Sequence, residues 1–211
     1  MNATIFKTIR HDLHNRYGHA VDAETIDLIF EQTCAAHERS AAVSKFLPIL
    51  VEREAVEKIE RLYTERTVFP AARKRIVFVS RGNRALADAA AAIASRLGGD
   101  AVLAASAATH PENVHDSQLE TVAAERGVDM RETAVYRGAE RTLESVAAVV
   151  YLTPNETHDV NALRAFVWDF KRTDGMTLEQ TRELADDLGA RVQSLLLNLN
   201  VPVASGAALA A

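Results

Sequence analysis

Residues 75 to 97 read RIVFVSRGNRALADAAAAIASRL, and this stretch decides the fold. Ile76 to Val79 is a short apolar run rich in β-branched residues, the composition of a buried strand. An alanine-rich helical pattern starts within a few residues of its end and runs to Leu97. The junction is therefore a strand, a tight loop and a helix N-terminus. Gly82 and Asn83 are the residue types that most readily take left-handed backbone angles, so successive amides of Arg81 to Leu86 are expected to point toward one spot. Such a nest at a helix start attracts anions, phosphate above all. A Gly-Asn pair that merely closes a βα turn is the competing reading. Arg81 and Arg84 flank the pair, either as a cationic rim to an anion site or as two surface arginines.

Working outward, Gly98-Gly-Asp100 ends the helix and Ala101 to Ala105 reads as a second strand. Asn113 to Arg126 reads as a helix closed by Gly127, Ala147 to Leu152 as a third strand and Ala165 to Phe170 as a fourth. Thr177 caps a final helix to about Leu199, with Leu184, Leu188, Val192, Leu195 and Leu196 facing inward. Alternating strands and helices imply a parallel sheet covered on both faces.

Four segments in fixed order resemble the low-molecular-weight protein tyrosine phosphatase and thioredoxin-type arsenate reductase family: the Ile76 strand with its Gly-Asn loop, Ser106-Ala-Ala-Thr-His-Pro111, Val122-Ala-Ala-Glu-Arg-Gly-Val-Asp129 and Ala147-Ala-Val-Val-Tyr151. The resemblance spans about Arg73 to Leu199 and implies that family's three-layer α/β fold. It also implies a Cys-x5-Arg-Ser loop, and here the chain departs from the pattern. The nucleophilic cysteine falls on Ser80, the arginine on Leu86 and the following hydroxyl on Ala87. The family's general-acid aspartate falls on Arg172, although Asp169 and Asp174 are near enough for a shifted match. A thiolate at a helix start is nucleophilic near neutral pH, whereas a serine hydroxyl needs a base. An arginine fork clamps a transferring phosphoryl group; Leu86 has no donor.

The expectation is thus a catalytically inactive member of that fold, whose degenerate loop of Ser80, Arg81, Gly82, Asn83, Arg84, Ala85 and Leu86 binds a phosphate-like anion or a phosphorylated partner. The alternative is a residual phosphatase in which Ser80, Asp169 or Asp174 supports slow hydrolysis.

Residues 1 to 67 read as a separate three-helix module. Ile5, Phe6, Ile9 and Leu13 repeat at helical spacing until Gly18. Asp22 caps a second helix carrying Ile26, Ile29, Phe30, Thr33 and Cys34 on one face, His37 to Ser44 is a polar break, and Pro48 suits the first turn of a third helix. The third helix shows a stripe of Val51, Ala55, Ile59 and Leu62, with Glu52, Arg53, Glu57, Lys58, Glu60 and Arg61 outside it. Phe46-Leu-Pro-Ile-Leu-Val-Glu-Arg53 is similar to a signature of the three-helix extension on some actinobacterial arsenate reductases, which serves dimerisation. That resemblance and an apolar stripe imply a homodimer through these helices. Thr67 to Lys74 reads as a linker, residues 73 to 200 as the phosphatase-like domain and 201 to 211 as a flexible tail.

Composition bounds the rest. The chain has 211 residues, is 48% hydrophobic and carries a net charge of −5, which offers no general footprint for nucleic acid or an anionic membrane. Its single cysteine, Cys34, excludes an internal disulfide and suits a reducing cytoplasm. Charges interrupt the N-terminus before any long apolar run, so no signal peptide is expected. Gly-x-Gly-x-x-Gly and Gly-Lys-Ser/Thr are missing, so no nucleotide cofactor is expected. His11, His14 and His19 cluster without the spacing of a metal site, and Cys34 reads as a small core residue rather than a nucleophile.

Overall fold

In the computed structural model the described residues are 2–40, 47–64, 72–108, 115–131, 133–135, 146–154 and 160–203. The chain divides into two compact units, the first closing at Arg73 and the second opening at Lys74. Most of the expected linker, the expected tail beyond residue 203, Thr109-His-Pro111 and the expected helix start at Asn113 lie outside the described residues.

The first unit is a three-helix bundle of α1 (Asn2–Tyr17), α2 (Ala23–Ser40) and α3 (Leu47–Thr64). Asp22 caps α2 as expected: its Oδ1 accepts from the Thr25 amide at 2.8 Å. The helix runs on through His37 to Ser40, past the start of the expected polar break, because His37 leaves the solvent for Glu54 of α3, 2.6 Å away. Ile9, Leu13, Ile26, Phe30, Val51, Ala55 and Ile59 form one core. The stripe on α3 is therefore covered by α1 and α2, and only Leu62 at its end is exposed. Glu52, expected outside the stripe, is 5% exposed. Cys34 lies on a partly buried face, where burial first and then Glu38 and Glu31 raise its thiol pKa, so it is a poor nucleophile at neutral pH.

The second unit is a five-stranded parallel sheet in the order β3-β2-β1-β4-β5, with β1 (Lys74–Ser80) central, β2 (Val102–Ala108), β3 (Ala134–Val135), β4 (Ala148–Tyr151) and β5 (Ala165–Val167). A central parallel strand is buried on both faces and needs apolar residues at successive positions, which Ile76 to Val79 supplies. Ile76, Phe78, Ala148 and Val150 share a core with α4 (Arg84–Gly98), α5 (Ser117–Glu125) and α6 (Leu178–Asn198). Val77, Val79 and Val149 point to the other face, against Ala107, Val146 and Val160.

Alanine dominates α4 because this helix is enclosed nearly all round: Ala85, Ala87, Ala89, Ala90, Ala91 and Ala94 are each at most 1% exposed. The turn after it is equally tight, since a Cβ on Gly98 would run into the Val102 side chain. Thr177 opens α6 with a reciprocal capping box to Gln180. Helix α5 begins at Ser117, where Asp116 accepts from the amides of Gln118 and Leu119, and ends before Gly127 at φ +66°. Val201, at the start of the expected tail, is instead buried in the core, and its N–H donates to Leu196 O at 2.9 Å. The fold is the α/β class expected from the sequence, preceded by a small three-helix bundle.

Candidate anion-binding cleft

Strand order reverses across β1: the chain leaves it for β2 on one side, and β4 lies on the other. In open parallel sheets this switch point leaves a crevice beyond the carboxyl ends of the strands. Here it holds a cleft of about 390 Å³ lined by Arg81, Gly82, Asn83, Leu86, Thr153, Lys171 and Arg172. Three successive connections bring these residues together. Leu152 N bonds Val79 O at 2.8 Å, setting Thr153 beside the end of β1. Trp168 N to Tyr151 O and Phe170 N to Leu152 O then run the chain after β5 along β4, delivering Lys171 and Arg172 to the same mouth. Trp168 packs edge to face with Phe170 and tilted, at 48°, against Phe78.

The loop after β1 is Arg81 to Asn83, and its backbone differs from the expectation. Gly82 is not among the positive-φ residues, and Asn83 sits at φ −115° as the N-cap of α4. The left-handed nest expected at Gly82-Asn83 is therefore not formed. Asn83 is instead occupied as a cap: its Oδ1 accepts from Leu86 N at 3.1 Å, and its own amide donates to Ser80 Oγ at 3.2 Å. Two of the amides expected to face an anion are thus used inside the loop.

The expected site residues separate accordingly. Arg81, Gly82, Asn83 and Leu86 line the cleft; Ser80, Arg84 and Ala85 do not. Ser80 is fully buried. Arg84 lies 3.4 Å from Asp88 one helical turn on, and Asp88 in turn accepts a short hydrogen bond from the Ser106 hydroxyl. Leu86 is buried and faces the cleft from the position where the resemblance calls for an arginine. Arg172 lines the opening and is bound through Nε to Asp174 Oδ2 at 2.7 Å; neither Asp174 nor the exposed Asp169 is among the lining residues.

Lys171 and Thr153 are lining residues that the sequence did not single out. Among the described residues the lining holds three cations, of which Arg172 is paired to Asp174, and no carboxylate, next to the N-terminus of a fifteen-residue helix. Coulombic attraction and the partial positive charge of the helix end act in the same direction, toward an anion. Arg81 and Lys171 make no hydrogen bond or ion pair among the described residues. The histidine cluster is resolved otherwise: His14 Nε2 is 2.6 Å from Asp27, and no group of metal ligands occurs among the described residues. No described helix is long and apolar enough to cross a membrane.

No protein-family model matches the chain, and no curated protein matches it. Solved structures do. A thioredoxin-dependent arsenate reductase of Corynebacterium glutamicum is 19% identical and aligns over 95% of this chain and 98% of its own, with a TM-score of 0.48. An arsenate reductase in a phosphate-binding state is 20% identical over 60% of this chain and 98% of its own, with a TM-score of 0.52. A low-molecular-weight protein tyrosine phosphatase from T. tengcongensis is 20% identical over 59% and 99%, with a TM-score of 0.47. At such identities the likeness is one of fold. The parallel-sheet unit has the arsenate-reductase fold, and the structural neighbours of the chain are thioredoxin-dependent arsenate reductases and low-molecular-weight protein tyrosine phosphatases.

Proposed function

We propose that this chain is a non-catalytic protein of the phosphatase and arsenate-reductase fold that binds a phosphate-like oxyanion, free or carried by a partner, in the cleft at the end of β1. One observation carries the reading: Arg81, Lys171 and Arg172 line the cleft while Ser80, the residue at the nucleophile's place, is buried outside it with its oxygen engaged by the Asn83 amide. Among the described residues a serine so placed has neither access to a substrate nor a base to take its proton, and serine-based phosphoryl transfer needs both. The amides of Asn83 and Leu86 are already used and the lining cations are exposed, so binding is expected to weaken with salt.

The test has two arms. Turnover of an aryl phosphate is expected to be absent; turnover that disappears in Ser80→Ala overturns the non-catalytic reading. Phosphate, sulfate and arsenate at millimolar levels are expected to raise the melting temperature. If all three leave it unchanged, the binding reading fails. The homodimer through the N-terminal helices stands as a proposal on the Phe46 to Arg53 resemblance alone, because Val51, Ala55 and Ile59 are taken up inside one bundle. Sedimentation at micromolar concentration checks it: a monomer is the overturning result.

A further inference from the structure

Asn83 reaches in two directions. Its Oδ1 caps α4, and its Nδ2 donates to Thr173 Oγ1 at 2.8 Å, a buried bond that joins residues 90 positions apart. Asn83 is 6% exposed and Thr173 5% exposed, whereas Lys171, Arg172 and Asp174 around Thr173 are all exposed. Residues 168 to 173 belong to no helix or strand, and the last of their ladder-like bonds to β4 is made by Phe170. Beyond it, Thr173 is the one buried residue of the Lys171–Asp174 run, and the Asn83 side chain is among its partners.

We infer that the Asn83–Thr173 hydrogen bond is a positioning device for the cleft: it clamps the loop after β5 onto the loop after β1 and so fixes Lys171 and Arg172 over the site that Arg81 lines. This inference rests on the anion-binding reading and deepens it by naming what assembles the cationic wall. The division of labour within one amide follows from its chemistry, since the oxygen can only accept and the NH2 can only donate. The oxygen is committed to Leu86 N, so the donor side is left to reach across. A buried bond of this kind is strong enough to hold a loop but weak enough to be measured when removed.

Thr173→Val removes the acceptor and keeps the shape and the helix cap. Inorganic phosphate is titrated calorimetrically at two salt concentrations, and hydrogen–deuterium exchange is read over residues 169 to 176. Expected in Thr173→Val are a phosphate Kd raised about fivefold, a shallower salt dependence and faster exchange in this segment. Thr173→Ser, which keeps the hydroxyl, should restore all three. Unchanged exchange in a folded Thr173→Val protein overturns the inference, as does faster exchange with an unchanged phosphate Kd. If the unsubstituted protein binds no phosphate, the anion-binding reading falls by itself, and the exchange comparison still decides whether the bond fixes the loop.

Discussion

The helical unit and the cleft of the sheet unit use their charged side chains differently. In the helical unit the partly buried charges answer one another: Arg10 holds Asp27 through Nε and Nη2 at 2.7 and 2.6 Å with His14 on the same carboxylate, and Glu54 takes both His37 and Lys58. In the sheet unit the polar groups under the cleft are satisfied in the same fashion, Ser80 by Asn83 and Asn83 by Thr173, but the cations Arg81 and Lys171 at its mouth are paired to nothing among the described residues. A chain that pairs its charges where they hold helices together, and leaves cations open at a topological switch point, separates charge used for folding from charge available to a ligand. Substitutions should therefore split into those that cost stability and those that cost binding.

The largest effect is expected at Asn83, which belongs to the first group although it lines the cleft. Asn83→Ala removes the α4 cap and leaves the Leu86 amide and the Thr173 hydroxyl without this partner, a loss of about 2 kcal/mol. Urea unfolding measures it. A change below about 0.5 kcal/mol would place Asn83 with the ligand-facing residues instead.

Next is Asp27, where pH adds a second reading. The Arg10 hydrogen bond, with His14 assisting, holds this carboxyl down to about 2 from an ordinary 3.8. Above the ordinary value the carboxylate is ionised in both folded and unfolded chains and its pairing is fully felt. As pH falls from about 4 toward 2 the unfolded chain takes up the proton first, and that stability is lost. Side chains 43% and 29% exposed are screened by solvent, so the contribution is about 1 kcal/mol. Asp27→Asn should lower stability by that amount at pH 7 and flatten the fall between pH 4 and 2 that urea midpoints of the unsubstituted protein show.

Much of this was legible in the sequence, and the gaps have physical causes. The central strand announces itself because burial on both faces leaves only apolar choices for Ile76 to Val79, and Gly127, at φ +66°, marks a helix end by its backbone. Strand β3 escaped because two exposed residues, Ala134 and Val135, carry no periodicity. Gly82-Asn83 suggested a nest because both types tolerate positive φ, yet asparagine is equally suited to cap a helix, and the helix beginning at Arg84 decided between them. The cationic wall was half visible: Arg81 was placed by the loop itself, but Lys171 arrives from 90 residues away through the β4–β5 ladder, which no local pattern records.

Lys171→Ala tests the second group. An exposed lysine with no ion pair among the described residues should leave stability within about 0.5 kcal/mol, while phosphate affinity falls about fivefold. Equal losses in both would erase the distinction between the two kinds of charge.

The smallest effect, and the one that chooses between two versions of the site, is expected at Arg84. A cation in the first turn of a helix opposes the helix dipole, and its pairing with Asp88 four residues on is the weaker orientation for such a pair, so the two contributions nearly cancel. Asp88 keeps the Ser106 hydroxyl when the arginine is gone, so no buried acceptor is stranded. Arg84→Ala should therefore change stability by less than about 0.5 kcal/mol and, because Arg84 does not line the cleft, change phosphate affinity by less than about twofold. A loss as large as that of Lys171→Ala would move the anion from the β1–β4 crevice to the N-terminus of α4, where Arg81 and Arg84 flank Gly82-Asn83.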